Sequence, residues 1–282
     1  MNIGIVGLGL IGGSIAKTIR KNTTHRIFGG DIQPSVILKA KVMEAIDDEL
    51  TAENFAACDL LILALYPDAT IDFLRRHADD IKPGTTVVDC CGIKKSVCDV
   101  AFPLAREKGF VFIGGHPMAG IERSGFAYSS NTLFSNASMI LVPDPLLNIT
   151  QMDEVKKLFL AIGFAQVKIS TPTEHDRIIA YTSQLAHIVS SSYIKSDTAL
   201  SHPGFSAGSF KDMTRVATLH EGMWTELFLH NQDYLVAEID GLVQRLLQYR
   251  DAIATGEVET LRQLLKDGRE RKALVNSLEL NP

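Results

Sequence analysis

The chain has 282 residues, of which 46% are hydrophobic and 22% charged, with a formal net charge of -5 and a pI near 5.9. This length accommodates one large core or two ordinary ones, and the composition is that of a folded, globular chain. No basic block suits nucleic acid or an anionic membrane, and no apolar run reaches the roughly 18–20 residues of a membrane span.

Residues 3–6, 27–30, 60–64, 85–89, 111–114 and 139–142 read as buried strands. They are short, β-branched or leucine-rich, and bounded by Gly, Pro or Asp. Between them, residues 12–21, 68–80 and 97–108 carry a helical period, and a helix at 152–162 with a strand at 166–169 closes this part. Such alternation predicts an α/β fold with a doubly wound, mostly parallel sheet covered on both faces. After Ser170-Thr171-Pro172 the pattern changes. Thr173-Glu174-His175-Asp176 has the polar look of a helix start. Helical period then runs through 178–193, 224–255 and 258–277, with no strand-like stretch. The boundary is placed near Pro172, giving a sheet domain over 1–171 and an all-helical domain over 172–282. The helical domain is small and leucine-rich, and is expected to bury its remaining apolar stripe against a twin in a C2 homodimer.

The N-terminus starts directly into Asn2-Ile3-Gly4-Ile5-Val6, without the basic region and cleavage site of a signal peptide. Four cysteines, Cys58, Cys90, Cys91 and Cys98, lack the paired spacing of a zinc site and read as reduced thiols. A cytoplasmic protein with no metal, nucleic-acid or membrane partner is expected.

Gly7-Leu8-Gly9-Leu10-Ile11-Gly12 fits G-x-G-x-x-G, follows the first strand and opens the first helix. Gly7 permits the tight turn, Gly9 lets backbone approach a pyrophosphate, and Gly12 lets the helix pack close to the strand. The helix N-terminus offers N–H groups and partial positive charge to phosphates. Asp31 ends the second strand at the place of the acid that binds the adenine ribose. Its carboxylate repels a 2′-phosphate, and Ile32-Gln33-Pro34 supply no cation to hold one, so NAD is expected over NADP. Leu65, Tyr66 and Pro67 after the third of these strands, and Gly92 in the loop after the fourth, should line the cofactor, because ligands sit beyond the carboxyl ends of strands in open α/β sheets.

Gly114-Gly115-His116-Pro117-Met118-Ala119-Gly120 places a histidine at the carboxyl end of a strand, in glycine-rich surroundings. A neutral imidazole there can accept a hydroxyl proton as hydride leaves the substrate carbon. This segment, continued through Ile121-Glu122-Arg123-Ser124-Gly125, resembles the G-x-H-P-[MI]-A-G-x-E-x-S-G motif of prephenate and arogenate dehydrogenases. Thr182-Ser183-Gln184-Leu185-Ala186-His187 resembles that family's T-S-H-L-P-H segment. Gly208-Ser209-Phe210-Lys211-Asp212-Met213-Thr214-Arg215 resembles its G-x-[GS]-F-[KR]-D-x-T-R, with Met223-Trp224 and Asn231 following.

The resemblance spans nearly the whole chain. It implies a Rossmann domain, NAD, and oxidative decarboxylation of prephenate to 4-hydroxyphenylpyruvate in tyrosine biosynthesis. It implies that His116 hydrogen-bonds the ring hydroxyl and accepts its proton, and that Arg215 binds a substrate carboxylate. It also implies that His187 contributes to substrate binding and catalysis from the helical domain, and that Trp224 shapes the pocket. Two departures stand out: Gly92 occupies the place of a frequent family serine, and Gln184 replaces the first histidine of T-S-H-L-P-H. Taken without the resemblance, Arg215 reads as a surface ion-pair residue, and His187 and Trp224 as core. His175 and His220 read as solvent-facing and are given no role.

Three competing activities share these features. An arogenate dehydrogenase would use the same scaffold. A β-hydroxy-acid dehydrogenase would use a catalytic lysine, for which only Lys211 lies nearby. A non-catalytic NAD sensor would have no use for His116 and Arg215. The chain ends soon after the helical domain, so inhibition by tyrosine is expected to compete at the active site.

Overall fold

The computed structural model describes residues 1–280. The first part alternates strand and helix except between β6 and β7: β1 (Asn2–Val6), α1 (Leu10–Asn22), β2 (Arg26–Gly30), α2 (Pro34–Val42), β3 (Asp48–Glu49), α3 (Ala52–Phe55), β4 (Leu60–Leu63), α4 (Pro67–His77), β5 (Thr86–Asp89), α5 (Lys95–Lys108), β6 (Val111–Pro117), β7 (Ser138–Pro143), α6 (Ile149–Ala161) and β8 (Gln166–Ile169). The eight strands form one sheet in the order β3-β2-β1-β4-β5-β6-β7-β8. Every pairing is parallel except β6 with β7. The order reverses between β1 and β4, and that reversal opens a crevice at the carboxyl edge of the sheet.

The central strands are largely apolar because both faces are covered, whereas the edge strands β3 and β8 are polar and mostly exposed. Their side chains divide by the period of two. Ile3, Ile5, Ile62, Val88, Ile113 and Leu141 face a core filled by Ile15 and Ile19 of α1 and Phe159 of α6. Leu61, Leu63, Val87 and Phe112 face the opposite core, with Leu74 of α4 and Val97 and Ala101 of α5.

Beyond residue 171 the described chain is helical: α7 (Pro172–Ile179), a π-helical segment (Ala180–Leu185), α8 (Ala186–Tyr193), α9 (Gly208–Thr214), α10 (Glu221–His230), α11 (Gln232–Thr255) and α12 (Val258–Leu280). The continuous helical pattern read over 224–255 is broken at Asn231. Its buried side chain donates to the Asp176 carbonyl at 2.9 Å and to Gln184 Oε1 at 2.8 Å. Residues 1–232 form one compact unit, and a second begins at Asp233. The sheet ends near the boundary read at residue 172, but the compact unit continues past it to Gln232. In the second unit Tyr249 donates to the Leu264 carbonyl at 3.1 Å, while Val243, Leu246, Ile253, Leu265 and Leu274 stay exposed. Among the described residues, no helix is long and apolar enough to cross a membrane.

The strands differ from expectation mainly at β6, which runs through Pro117 rather than stopping at Gly114. On one side it pairs with β7, His116 opposite Ile140. On the other, its ladder with β5 ends at Val88–Ile113. Gly115 then passes so close to β5 that a Cβ on it would lie 2.2 Å from the Asp89 carbonyl oxygen and 2.8 Å from Val88 Cγ1. Gly115→Ala is therefore expected to destabilise the fold by about 1–3 kcal/mol, read as a lowered urea midpoint. An unchanged midpoint would contradict this packing.

Candidate active site

The loop between β1 and α1 has the geometry that a dinucleotide pyrophosphate requires. Gly7 has φ +87°, a left-handed conformation that favours glycine, and its N–H donates to the Gly30 carbonyl at 2.8 Å. At Gly12 a Cβ would stand 1.9 Å from the Gly7 carbonyl oxygen, so only glycine lets α1 start this close to β1. At Gly9, by contrast, a Cβ would meet nothing within 4 Å, and no side chain caps α1 there. The approach to the first turn of α1 is open, which fits a phosphate group. Asp31 lies beside this loop, accepting from Leu8 N–H and Gln33 N–H at 2.9 Å each. Of the residues read as cofactor-lining, Leu8 is fully buried with its side chain over Gly29, so only its backbone faces the loop. Leu10, Ile11, Leu65 and Gly92 are partly exposed, Tyr66 is exposed and Pro67 is buried at the start of α4.

Beyond β5, a buried ion pair organises the next part of the edge. Asp89 and Lys94 are both fully buried and paired to each other. The remaining capacity of each is used on neighbouring backbone. Asp89 accepts from Gly115 N–H and Cys91 N–H, each at 2.9 Å, and Lys94 Nζ donates to the Gly115 carbonyl at 2.6 Å. Burial opposes the charge on Lys94, but Asp89 together with Cys91 and Cys98 raises the pKa on balance. Both polar groups of Gly115, left without a β5 partner, are thereby satisfied by side chains.

His116 follows directly. Its ring is partly buried, and Nδ1 lies 2.9 Å from Nε2 of His175. His175 Nδ1 lies 2.6 Å from Asp176 Oδ1. The assignment of His175 to solvent is overturned: it is 2% exposed, because α7 packs this face against the N-terminus of α5. The i, i+4 relation of His175 to buried Ile179 is the sequence signal for that face. His220 is exposed as read, and caps α10 by accepting from Met223 N–H at 3.3 Å. Burial, His175 and Lys94 hold the His116 pKa well below the usual histidine value, and burial lowers that of His175 despite Asp176. Gly92 borders the other side of His116. A Cβ there would lie 3.9 Å from His116 Nε2 and 3.3 Å from Leu227 Cδ2 of α10.

Three other expected residues form a neighbouring group. The His187 and Trp224 rings have centroids 4.0 Å apart, and His187 Nδ1 is 2.8 Å from the Ser183 carbonyl. Burial lowers the His187 pKa, and Arg215 lowers it further. Arg215 is exposed, its Nη1 donating to Glu122 at 2.8 Å across 93 positions of sequence. Gln184 has a different place: it is buried and donates to the Leu227 carbonyl at 3.0 Å, bracing α10. The cysteines offer no reactive thiolate, since burial pushes Cys91 well up and Cys58 to about 11.

Comparison with known proteins places the chain in a family. Residues 15–169 match the family model "Prephenate dehydrogenase, nucleotide-binding domain", and residues 171–267 match "Prephenate dehydrogenase, dimerization domain". The chain belongs to the prephenate dehydrogenase family. The prephenate dehydrogenase of Bacillus subtilis is 31% identical over 277 residues, covering 94% of this chain and 74% of that one. The crystal structure of A. aeolicus prephenate dehydrogenase in complex with hydroxyphenyl propionate and NAD+ is 26% identical, with a TM-score of 0.86 and 98% of each chain covered. Synechocystis arogenate dehydrogenase is also 26% identical, with a TM-score of 0.82 over 98% of this chain and all of that one.

Breaking the buried pair on one side strands the other charge. Lys94→Met is expected to cost about 3–5 kcal/mol, measured by equilibrium denaturation. A loss within error of zero would show that Asp89 is held without its partner.

Proposed function

We propose that this protein is an NAD-dependent oxidoreductase that converts prephenate to 4-hydroxyphenylpyruvate and carbon dioxide. The observation that carries the reading is His116. Its imidazole is held neutral at the carboxyl edge of the sheet, the edge that also carries the open Gly9 loop. One ring nitrogen is bound to His175, and the other borders Gly92.

NAD, when bound, supplies the hydride acceptor. The Gly7–Gly12 loop and the uncapped start of α1 would hold its pyrophosphate, and Asp31 its adenine ribose. His116 Nε2 takes the proton of the ring hydroxyl as the hydride departs from the same carbon. The C–C bond to the ring carboxylate then breaks, its electron pair completes the aromatic ring, carbon dioxide leaves, and the phenolate oxygen takes the proton back from His116 Nε2. Aromatisation makes the step effectively irreversible. Arg215 has one donor on Glu122 and further guanidinium donors to offer a substrate carboxylate. His187, in ring contact with Trp224, forms the helical side of the substrate site.

Arogenate is the second reading, supported by the equal identity to the Synechocystis arogenate dehydrogenase. The chemistry at His116 is the same for both substrates. A homodimer through the helical part fits the match of residues 171–267 to a dimerisation domain and the exposed apolar residues of α11 and α12. Four free, unreactive cysteines fit a cytoplasmic setting.

The test is absorbance at 340 nm with NAD and either prephenate or arogenate. NADH formation with prephenate is expected. His116→Ala should lower kcat by about 100-fold or more, whereas Arg215→Ala should chiefly raise KM for the substrate. Turnover of arogenate alone would change the substrate and keep the chemistry. Turnover of neither would remove the reading.

The pH profile gives a separate check. A base acts unprotonated, so activity is lost as pH falls through its pKa. Burial lowers the His116 pKa below the ordinary 6.5, and His175 and Lys94, which face it, lower it further. The acid limb of kcat/KM is therefore expected below pH 6.5, with full activity through neutrality. An acid limb centred above 7 would assign the base to another group.

A further inference from the structure

We infer that His175 and Asp176 are positioning residues that fix the ring tautomer of His116, and so decide which nitrogen can accept the substrate proton. The inference rests on the reading of His116 as the base.

The argument begins at Asp176, which is 1% exposed. Its Oδ1 accepts from Lys94 N–H at 2.7 Å, and its Oδ2 accepts from Lys95 N–H at 2.8 Å. These N–H groups open α5, whose own N-cap residue supplies no side-chain cap. Two backbone donors at the positive end of the helix thus pair with the Asp176 carboxylate. A carboxylate can only accept. The third partner, His175 Nδ1 at 2.6 Å, must therefore carry a proton.

One tautomer then dictates the next. His175 is a buried, neutral imidazole, so a proton on Nδ1 leaves Nε2 with a lone pair. That nitrogen lies 2.9 Å from His116 Nδ1, and a hydrogen bond there needs the proton on His116. His116, neutral in turn, must have a bare Nε2. This is the nitrogen beside Gly92. The opposite tautomer would present an N–H to the substrate hydroxyl and could not take its proton. The charged and titratable groups around the chain are consistent with this order. Lys94 acts on His116, and Asp176, Lys94 and Asp89 act on His175. When His116 takes the proton on Nε2, its Nδ1–H stays on His175 and no proton need travel to Asp176.

A merely structural role for His175 would not set a tautomer, so the tautomer is the decisive readout. Two-bond ¹H–¹⁵N spectra of ring-labelled protein at neutral pH, assigned with His116 and His175 variants, should show both rings protonated at Nδ1 only. His116 protonated at Nε2 in the unaltered protein would overturn the inference. Kinetics supply the second readout. His175→Leu removes the acceptor, and kcat should fall about 100-fold, with the NAD dissociation constant and the KM for prephenate changed little. His175→Gln restores a carbonyl acceptor and should recover most of that loss. Leu and Gln variants that bind NAD and retain full kcat would overturn the inference while leaving His116 as the base. Full turnover by His116→Ala would instead overturn the reading of His116 itself.

Discussion

The arrangement depends first on the side chains of Asp89 and Lys94, which replace a missing stretch of β-ladder. β5 stops at Asp89, while β6 continues to Pro117. In an ordinary parallel pair, the N–H and C=O of Gly115 would have found partners on β5. Here Asp89 accepts the one and Lys94 donates to the other. Leaving either group unpaired in the interior would cost about 1–3 kcal/mol. A buried ion pair contributes little net stability against a hydrophobic alternative, because desolvation offsets the attraction. Its value here is positional. It sets where Gly115 lies, and therefore where His116, the next residue, leaves the sheet.

A second constraint concerns the helix N-termini gathered at the carboxyl edge. Each has unsatisfied N–H groups and partial positive charge. At α5 the carboxylate of Asp176 supplies the partner. At α4, Glu226 accepts from Asp68 N–H at 2.6 Å, and His230 binds the Asp68 carboxylate. Both carboxylates come from the helical segment, so α7 and α10 are tied to the sheet by polar contacts as well as by Leu227 in its core. This accounts for a compact unit that reaches Gln232 instead of ending with the last strand. The start of α1 receives no such carboxylate, and no Cβ fills the space at Gly9. Of these three helix ends, the one left without a protein anion is the one whose glycines fit a phosphate.

Strongly local features were legible in the sequence. The strand–helix alternation, the glycine turn, Asp31 and the position of His116 each depend on a few adjacent residues, and the fold places them as read. Features set by contacts distant in sequence were not. The two-residue β3 is exposed and has no periodic pattern to find. The extension of β6 depends on side chains 21 and 26 residues away from Gly115. At the break, the side-chain amide of Asn231 is used on Asp176 and Gln184, contacts that the local helical period cannot reveal. His175 was misread because a polar helix start resembles a solvated one. Only its register with Ile179 distinguishes them.

Gly92 shows how the two constraints meet at the base. Any side chain at this position would begin 3.9 Å from His116 Nε2 and press on Leu227. Glycine leaves that nitrogen uncovered, but it also means that position 92 offers no side-chain group to orient the imidazole. Orientation must then come from the opposite nitrogen, and the partner there is His175, held by a carboxylate that α5 itself holds. The ring is fixed from one side by α7 and from beneath by the Asp89–Lys94 pair through Gly115. Its remaining face is free for a substrate hydroxyl.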